Sequence, residues 1–161
     1  MNSEYPIRQA TLDDIEVMVR LRHDMMAEME VSHEVADPDD LNEAIRDYFR
    51  KQLTGKHFVA YVAEDKGQII STGSFVVYDT PPSTSNPSGT DAYVLNMYTV
   101  PEYRGRDIAK HILDALLKRA WDEGARRIWL RTSEGARKIY EHLGFEPRDN
   151  YMQLFLEEDP Q

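Results

Sequence analysis

Pro101-Glu102-Tyr103-Arg104-Gly105-Arg106-Asp107-Ile108-Ala109 sits at the centre of a stretch, Ala92 to Gly124, whose reading decides the fold. Ala92 to Val100 is patterned as a strand, the quoted residues as a short basic turn containing glycine, and Asp107 to about Glu123 as a long amphipathic helix. Ile108, Ile112, Leu116 and Ala120 form one apolar row of that helix, and Ala109, Leu113, Leu117 and Trp121 the row beside it. Lys110, Asp114, Lys118 and Asp122 alternate in charge along the outer face, and Gly124 stands where a C-capping residue would. A strand that empties into a turn at a helix N-terminus is a place to hold phosphate, because exposed N–H groups and the helix dipole both favour negative charge.

Working outward, Arg126 to Thr132 reads as the next strand, reached through a short connection. Strand, crossover helix and strand make a right-handed βαβ unit with parallel strands. Ser133 to Leu143 then reads as a short helix ended by Gly144, and Tyr151 to Glu157 as a last strand, with Met152, Leu154 and Leu156 alternating onto one face.

Upstream, Tyr5 to Gln9 is a short first strand, and Thr11 with Asp14 offers a capping box. Ile15, Met18, Val19, Met25, Met26 and Met29 recur at helical spacing, a stripe suited to core or pocket wall. Asp37-Pro38 starts a second helix, buried through Leu41, Ala44, Ile45, Tyr48 and Phe49. His57–Glu64 and Gln68–Tyr78 are strands joined at Asp65-Lys66-Gly67, an antiparallel hairpin. Asp79 to Asp91 is a long polar loop, suited either to lining an active site or to disorder. The order β-α-α-β-β-β-α-β-α-β implies an α+β protein, a mixed sheet with helices on both faces, in one domain over residues 1–161.

The chain has 161 residues, enough for a real core, and no cysteine, which excludes disulfides and thiolate zinc sites and points to a reducing compartment. No basic segment followed by an apolar one opens the sequence, and no apolar run approaches the ~20 residues that span a membrane. The expectation is a cytoplasmic protein with no membrane partner. A net charge of −10 weighs against nucleic acid. Residues 1–50 hold 13 acidic and 5 basic side chains, whereas residues 101–161 hold 12 and 11. That asymmetry suits either a cationic acceptor or a plain solvated surface.

The quoted turn resembles motif A of the GCN5-related N-acetyltransferases (GNAT), written as Gln or Arg, two residues, Gly, one residue, then Gly or Ala. Arg104 matches its first position and Ala109 its last. Ser133-Glu134-Gly135-Ala136-Arg137-Lys138-Ile139-Tyr140-Glu141-His142-Leu143-Gly144-Phe145 is similar to motif B of the same family. The spacing between the two is the family's, as is the opening Ile7-Arg8-Gln9-Ala10-Thr11.

The resemblance implies the acyl-CoA N-acyltransferase fold, acetyl-CoA as cosubstrate without a metal, and a primary amine as acceptor, either a small amine or a lysine-bearing peptide. It puts the pyrophosphate on the backbone of Gly105, Arg106, Asp107, Ile108 and Ala109, beside Arg104. It puts the pantetheine amides along Met97, Tyr98 and Thr99, where the family's strand splays from its parallel neighbour at a bulge. Tyr140 takes the place of the family's general acid for the CoA thiolate, with core packing against Phe145 as the alternative. Ser133 stands where relatives have an asparagine touching the CoA arm, and it can also cap the following helix.

Two departures matter. Asp107 replaces the first glycine of motif A, bringing negative charge beside a pyrophosphate. As an N-cap its carboxylate could take the N–H groups meant for phosphate, although aspartate tolerates the left-handed backbone that the turn needs. Asn96 occupies the place of the family's glutamate base and cannot take a proton, leaving water or Glu28, Glu30 or Glu34 as candidates. His23, His33, His57, His111 and His142 show no metal-ligand spacing. An acyl-CoA sensor without turnover is the alternative to an enzyme, and exposed sheet edges allow a homodimer.

Overall fold

The computed structural model describes residues 4–29 and 37–155. It divides into two compact units, Met1–Arg131 and Thr132–Gln161.

The first unit is a five-stranded mixed sheet in the order β1 (Ile7–Gln9), β2 (Phe58–Asp65), β3 (Gln68–Asp79), β4 (Thr90–Thr99) and β5 (Arg127–Leu130). Neighbours are antiparallel up to β4, and β4 and β5 are parallel, as a crossover through α3 (Ile108–Asp122) requires. Lys66 and Gly67, both at positive φ (49° and 80°), make the two-residue turn that joins β2 to β3.

Helices α1 (Ile15–Glu28) and α2 (Pro38–Leu53) cover one face of the sheet. Met18, Val19, Leu21, Ile45 and Phe49 meet Phe58, Ala60 and Val62 there, with the rings of Phe49 and Phe58 6.0 Å apart. The caps are the expected ones: Asp14 accepts the Thr11 N–H at 2.7 Å, and Asp37 accepts that of Asp39 at 2.9 Å. Helix α3 covers the other face through Ile108, Ile112, Leu113, Leu116 and Ala120. The second apolar row is incomplete, because Trp121 is exposed and carries the Arg126 guanidinium over its ring, 3.6 Å from the centroid.

The loop between β3 and β4 holds no helix or strand but is internally hydrogen-bonded, and it is not next to the turn. Thr80 and Gly89 close it, Asn86 is buried and donates to the Asp91 carboxylate at 2.7 Å, and Arg127 pairs with that carboxylate. It lies at the start of β4, the opposite end from the 101–109 turn.

The second unit carries α4 (Glu134–His142). The strand expected over Tyr151 to Glu157 is absent from residues 151–155, and residues 156 and 157 lie outside the described part. Met152 and Leu154 are exposed. Alternation marks a strand only where a neighbour supplies its hydrogen bonds, and these residues have no paired strand.

Candidate functional site

Strand β4 changes character halfway along. Its pairing with β5 ends at Val94 opposite Leu130, so from Leu95 to Thr99 that side of β4 has no paired strand. On its other side the register with β3 shifts: Ser74 faces Leu95 but Thr72 faces Tyr98. One extra residue is therefore accommodated around Asn96 and Met97, and Asn96 takes φ 56° to do it. Gly73 lies opposite this bulge, and a Cβ there would come within 2.4 Å of the Met97 sulfur and 2.7 Å of Ile112. Gly73 is thus what lets the bulged strand press onto α3.

The chain then turns. Pro101–Tyr103 forms a single 3-10 turn, Gly105 sits at φ 75° with open space on its Cβ side, and Asp107 at φ 58°, ψ 13° is left-handed. The first α3 hydrogen bond runs from the His111 N–H to the Asp107 carbonyl at 3.1 Å. The N–H groups of Ile108, Ala109 and Lys110 precede it, and no side chain caps them, because the Asp107 carboxylate makes no capping bond. The feared competition from Asp107 as a cap does not occur. What it contributes is a left-handed backbone, a conformation that glycine adopts without strain. A turn of this shape, with uncapped helix N–H groups after a half-unpaired strand, fits a pyrophosphate followed by a peptide-like arm.

The arginines of the turn are already engaged. Arg104 Nε donates to the Thr99 carbonyl at 2.9 Å, and its Nη2 holds both Glu28 oxygens, at 2.7 and 3.0 Å. The Tyr98 hydroxyl donates to the same carboxylate at 2.7 Å. These contacts, Tyr98 first and Arg104 second, hold Glu28 below the usual carboxylate range, while burial and Glu28 push the Tyr98 phenol up to about 12. A carboxylate so stabilised is a poor proton acceptor, which argues against Glu28 as the base. Arg106 donates to the Tyr5 hydroxyl at 2.7 Å and to the Glu102 carbonyl at 3.2 Å.

Asn96 has a different task from that of a base. Its Oδ1 accepts a hydrogen bond from Arg22 of α1, and its Nδ2 donates to Ser74 Oγ at 3.4 Å. Glu30 and Glu34, the other candidate bases, lie outside the described residues. No cluster among the described residues could hold a metal ion, and no helix among them is long and apolar enough to cross a membrane.

In the second unit, Tyr140 lies half-buried on α4, its ring edge-on to Phe145 at 5.8 Å. Burial raises its phenol above the ordinary value of 10, so the group is protonated at neutral pH. Ser133 occupies the N-cap position of α4 through its carbonyl, which accepts from Ala136 and Arg137. Its hydroxyl makes no capping bond, contrary to the expected side-chain cap.

Sequence reasoning expected a bulge on this strand from the resemblance but not Asn96 as the bulged residue, and it missed Gly73 and Arg22. Gly73 did carry a signal, since a lone glycine inside a strand marks a bulge or a close backbone approach.

Residues 18–145 match the model of the Acetyltransferase (GNAT) family. An uncharacterised N-acetyltransferase of Escherichia coli strain K12, YjgM, is 29% identical over 150 residues, covering 89% of this chain and 83% of that protein. The crystal structure of a predicted acetyltransferase from Clostridium acetobutylicum with acetyl-CoA superposes with a TM-score of 0.85 at 30% identity, covering 94% of this chain and 96% of the other. A GCN5-related N-acetyltransferase from Ralstonia eutropha JMP134 shares the fold at a TM-score of 0.82 and 22% identity, over 94% of this chain and 98% of its own.

Proposed function

The chain belongs to the GNAT acetyltransferase family, and from that premise we propose that it moves the acetyl group of acetyl-CoA onto a primary amine by direct attack, with Tyr140 as general acid. It is an acetyl-CoA-dependent N-acetyltransferase. The observation that carries the reading is the end of β4: a strand released from β5 after Val94, running into a left-handed turn and the uncapped N-terminus of α3. Backbone groups from Met97 to Thr99 receive the pantetheine amides as an added strand would. The N–H groups from Gly105 to Ala109 receive the pyrophosphate.

Acetyl-CoA supplies an activated acyl carbon on a thiol leaving group. The amine nitrogen bonds to that carbon as the carbon–sulfur bond breaks, and the nitrogen gives its surplus proton to water. Tyr140 passes its phenolic proton to the sulfur and regains one from solvent. Its raised phenol supports this role, because the proton is present throughout the neutral range. The acceptor is a small amine or a lysine-bearing peptide. We also take residues 1–161 as one functional domain, since the family match runs from residue 18 to 145 across the division between the two units.

Thiol release from acetyl-CoA with a mixed panel of primary amines tests the reading, alongside calorimetry of acetyl-CoA binding. Amine-dependent release is the expected result. Binding without release would leave the second reading, an acyl-CoA sensor, which is favoured by the Asp107 carboxylate in the turn and by the engagement of Asn96 and Glu28 in hydrogen bonds.

A further inference from the structure

Arg22 differs from the arginines around it. Arg8, Arg46, Arg104 and Arg127 each hold at least one carboxylate. Arg22 is half-buried, and among the described residues its hydrogen bond goes to a neutral amide, Oδ1 of Asn96. The two ionisable groups whose charge acts on it are the phenols of Tyr48 on α2 and Tyr93 on β4, and neither neutralises it at physiological pH. Burial lowers its pKa, the mark of a guanidinium taken from water without a counter-charge.

Its position is specific. Asn96 is the bulged residue of β4, next in sequence to the stretch assigned to the pantetheine arm. Asn96 reaches on to Ser74. Two residues along β3 on the same face, the Thr72 hydroxyl is buried without a hydrogen-bond partner among the described residues. Tyr93 is held by stacking on Trp129, with centroids 4.3 Å apart and planes at 26°. The region is cationic, polar and aromatic, and it lies under α1 and α2.

No carboxylate among the described residues of the first 50 pairs with it. Asp14 is taken by Arg8, Glu16 and Glu43 by Arg46, Asp47 by Arg50 and Glu28 by Arg104.

Resting on the acetyl-transfer reading above, we propose that Arg22 receives a carboxylate of the acceptor, so that the amine acetylated by this chain belongs to an amino-acid-like molecule. A guanidinium has five donors in a planar fork, and the bond to Asn96 leaves four for a carboxylate. The carboxylate supplies the missing counter-charge, and the bulge beside Asn96 brings the attached amine to the strand that presents the thioester.

The test uses matched pairs, each an α-amino acid and its carboxamide, with thiol release from acetyl-CoA as the readout. The wild-type chain is expected to favour the acids at least tenfold in kcat/KM. Arg22→Gln is expected to erase that preference by lowering the acid arm alone, Arg22→Lys to restore part of it, and acetyl-CoA binding to stay unchanged in both. Equal rates on acid and amide in the wild type, or an equal fall of both arms in Arg22→Gln, overturns the proposal and leaves acetyl transfer standing. Failure to acetylate any amine, with acetyl-CoA still bound, overturns both readings together. The wild-type acid-to-amide ratio decides the matter even if Arg22→Gln does not fold.

Discussion

Arg104 holds Glu28 across the mouth of the turn, Nη2 to Oε2 at 2.7 Å, while the same carboxylate takes the Tyr98 hydroxyl. The pair joins the end of α1 to the basic turn and occupies an arginine that phosphate would also attract. Both side chains are nearly half exposed, so Glu28→Gln should change unfolding free energy by less than about 1 kcal/mol. It should tighten acetyl-CoA binding a few-fold by releasing Arg104, and keep kcat within a few-fold if Glu28 is not the base. Calorimetry and steady-state kinetics check both.

Asp107 has two separable effects, its charge and its backbone. Asp107→Gly removes the carboxylate and suits φ 58°, whereas Asp107→Ala removes the carboxylate and strains the same turn. The glycine variant should bind acetyl-CoA more tightly than wild type, and the alanine variant should be the less stable of the two by about 1 kcal/mol. Unchanged affinity in Asp107→Gly would show that this carboxylate does not oppose the phosphates.

Tyr140→Phe keeps the ring that meets Phe145 and deletes the proton. Acetyl transfer should fall about 100-fold or more in kcat with acetyl-CoA affinity unchanged. Because burial raises the phenol, an activity limb set by this group lies above pH 10 in the wild type, where loss of the proton lowers the rate. A pH–rate profile of the two proteins shows whether that limb belongs to Tyr140.

Gly73→Ala places a methyl group against Met97 and Ile112 at distances that no relaxed contact allows. Overpacking of this kind costs about 1–3 kcal/mol. Denaturant unfolding should show that loss, and acetyl-CoA affinity should fall with it, since the Met97 side chain on the bulge must shift to make room.

Asp14 is buried under α1 and accepts from Arg8 and from the Thr11 N–H, contacts that depress its pKa, with Arg8 the largest cause. A depressed carboxylate contributes stability that is complete above its unfolded value of about 3.9 and is lost as pH falls through the folded value. Asp14→Asn should therefore cost about 1–2 kcal/mol at neutral pH, the low end for a charge-assisted bond because Arg8 is 40% exposed. The gap between the two proteins should close below pH 4, as followed by unfolding at several pH values.

The long helix α3 and its turn were legible because a repeat of 3.6 sustained over 15 residues, ended by Gly124, has few other readings. The β2–β3 hairpin was legible from Lys66-Gly67 alone. The apolar row ending in Trp121 misled, since periodicity states which residues share a face but not how wide a face the sheet covers. The bulge at Asn96 left no period to read, and the pairing that defines it depends on Gly73, more than 20 residues away in the chain. Arg22 was invisible for a related reason. On a helix it looks like any surface cation until the sheet behind it is known.

The bulge has one more effect, on which way β4 faces. In a regular strand, residues five apart point to opposite sides. Tyr93 and Tyr98 are five apart, yet Tyr98 bonds to Glu28 on α1 and Tyr93 acts on Arg22 of the same helix. The inserted residue shifts the strand's phase, so its first half keeps time with β5 and its second half with the turn. Deleting one residue here would leave Tyr93 and Tyr98 four apart, on one side of a regular strand: both halves would keep their faces, and what would be lost is the bulge itself.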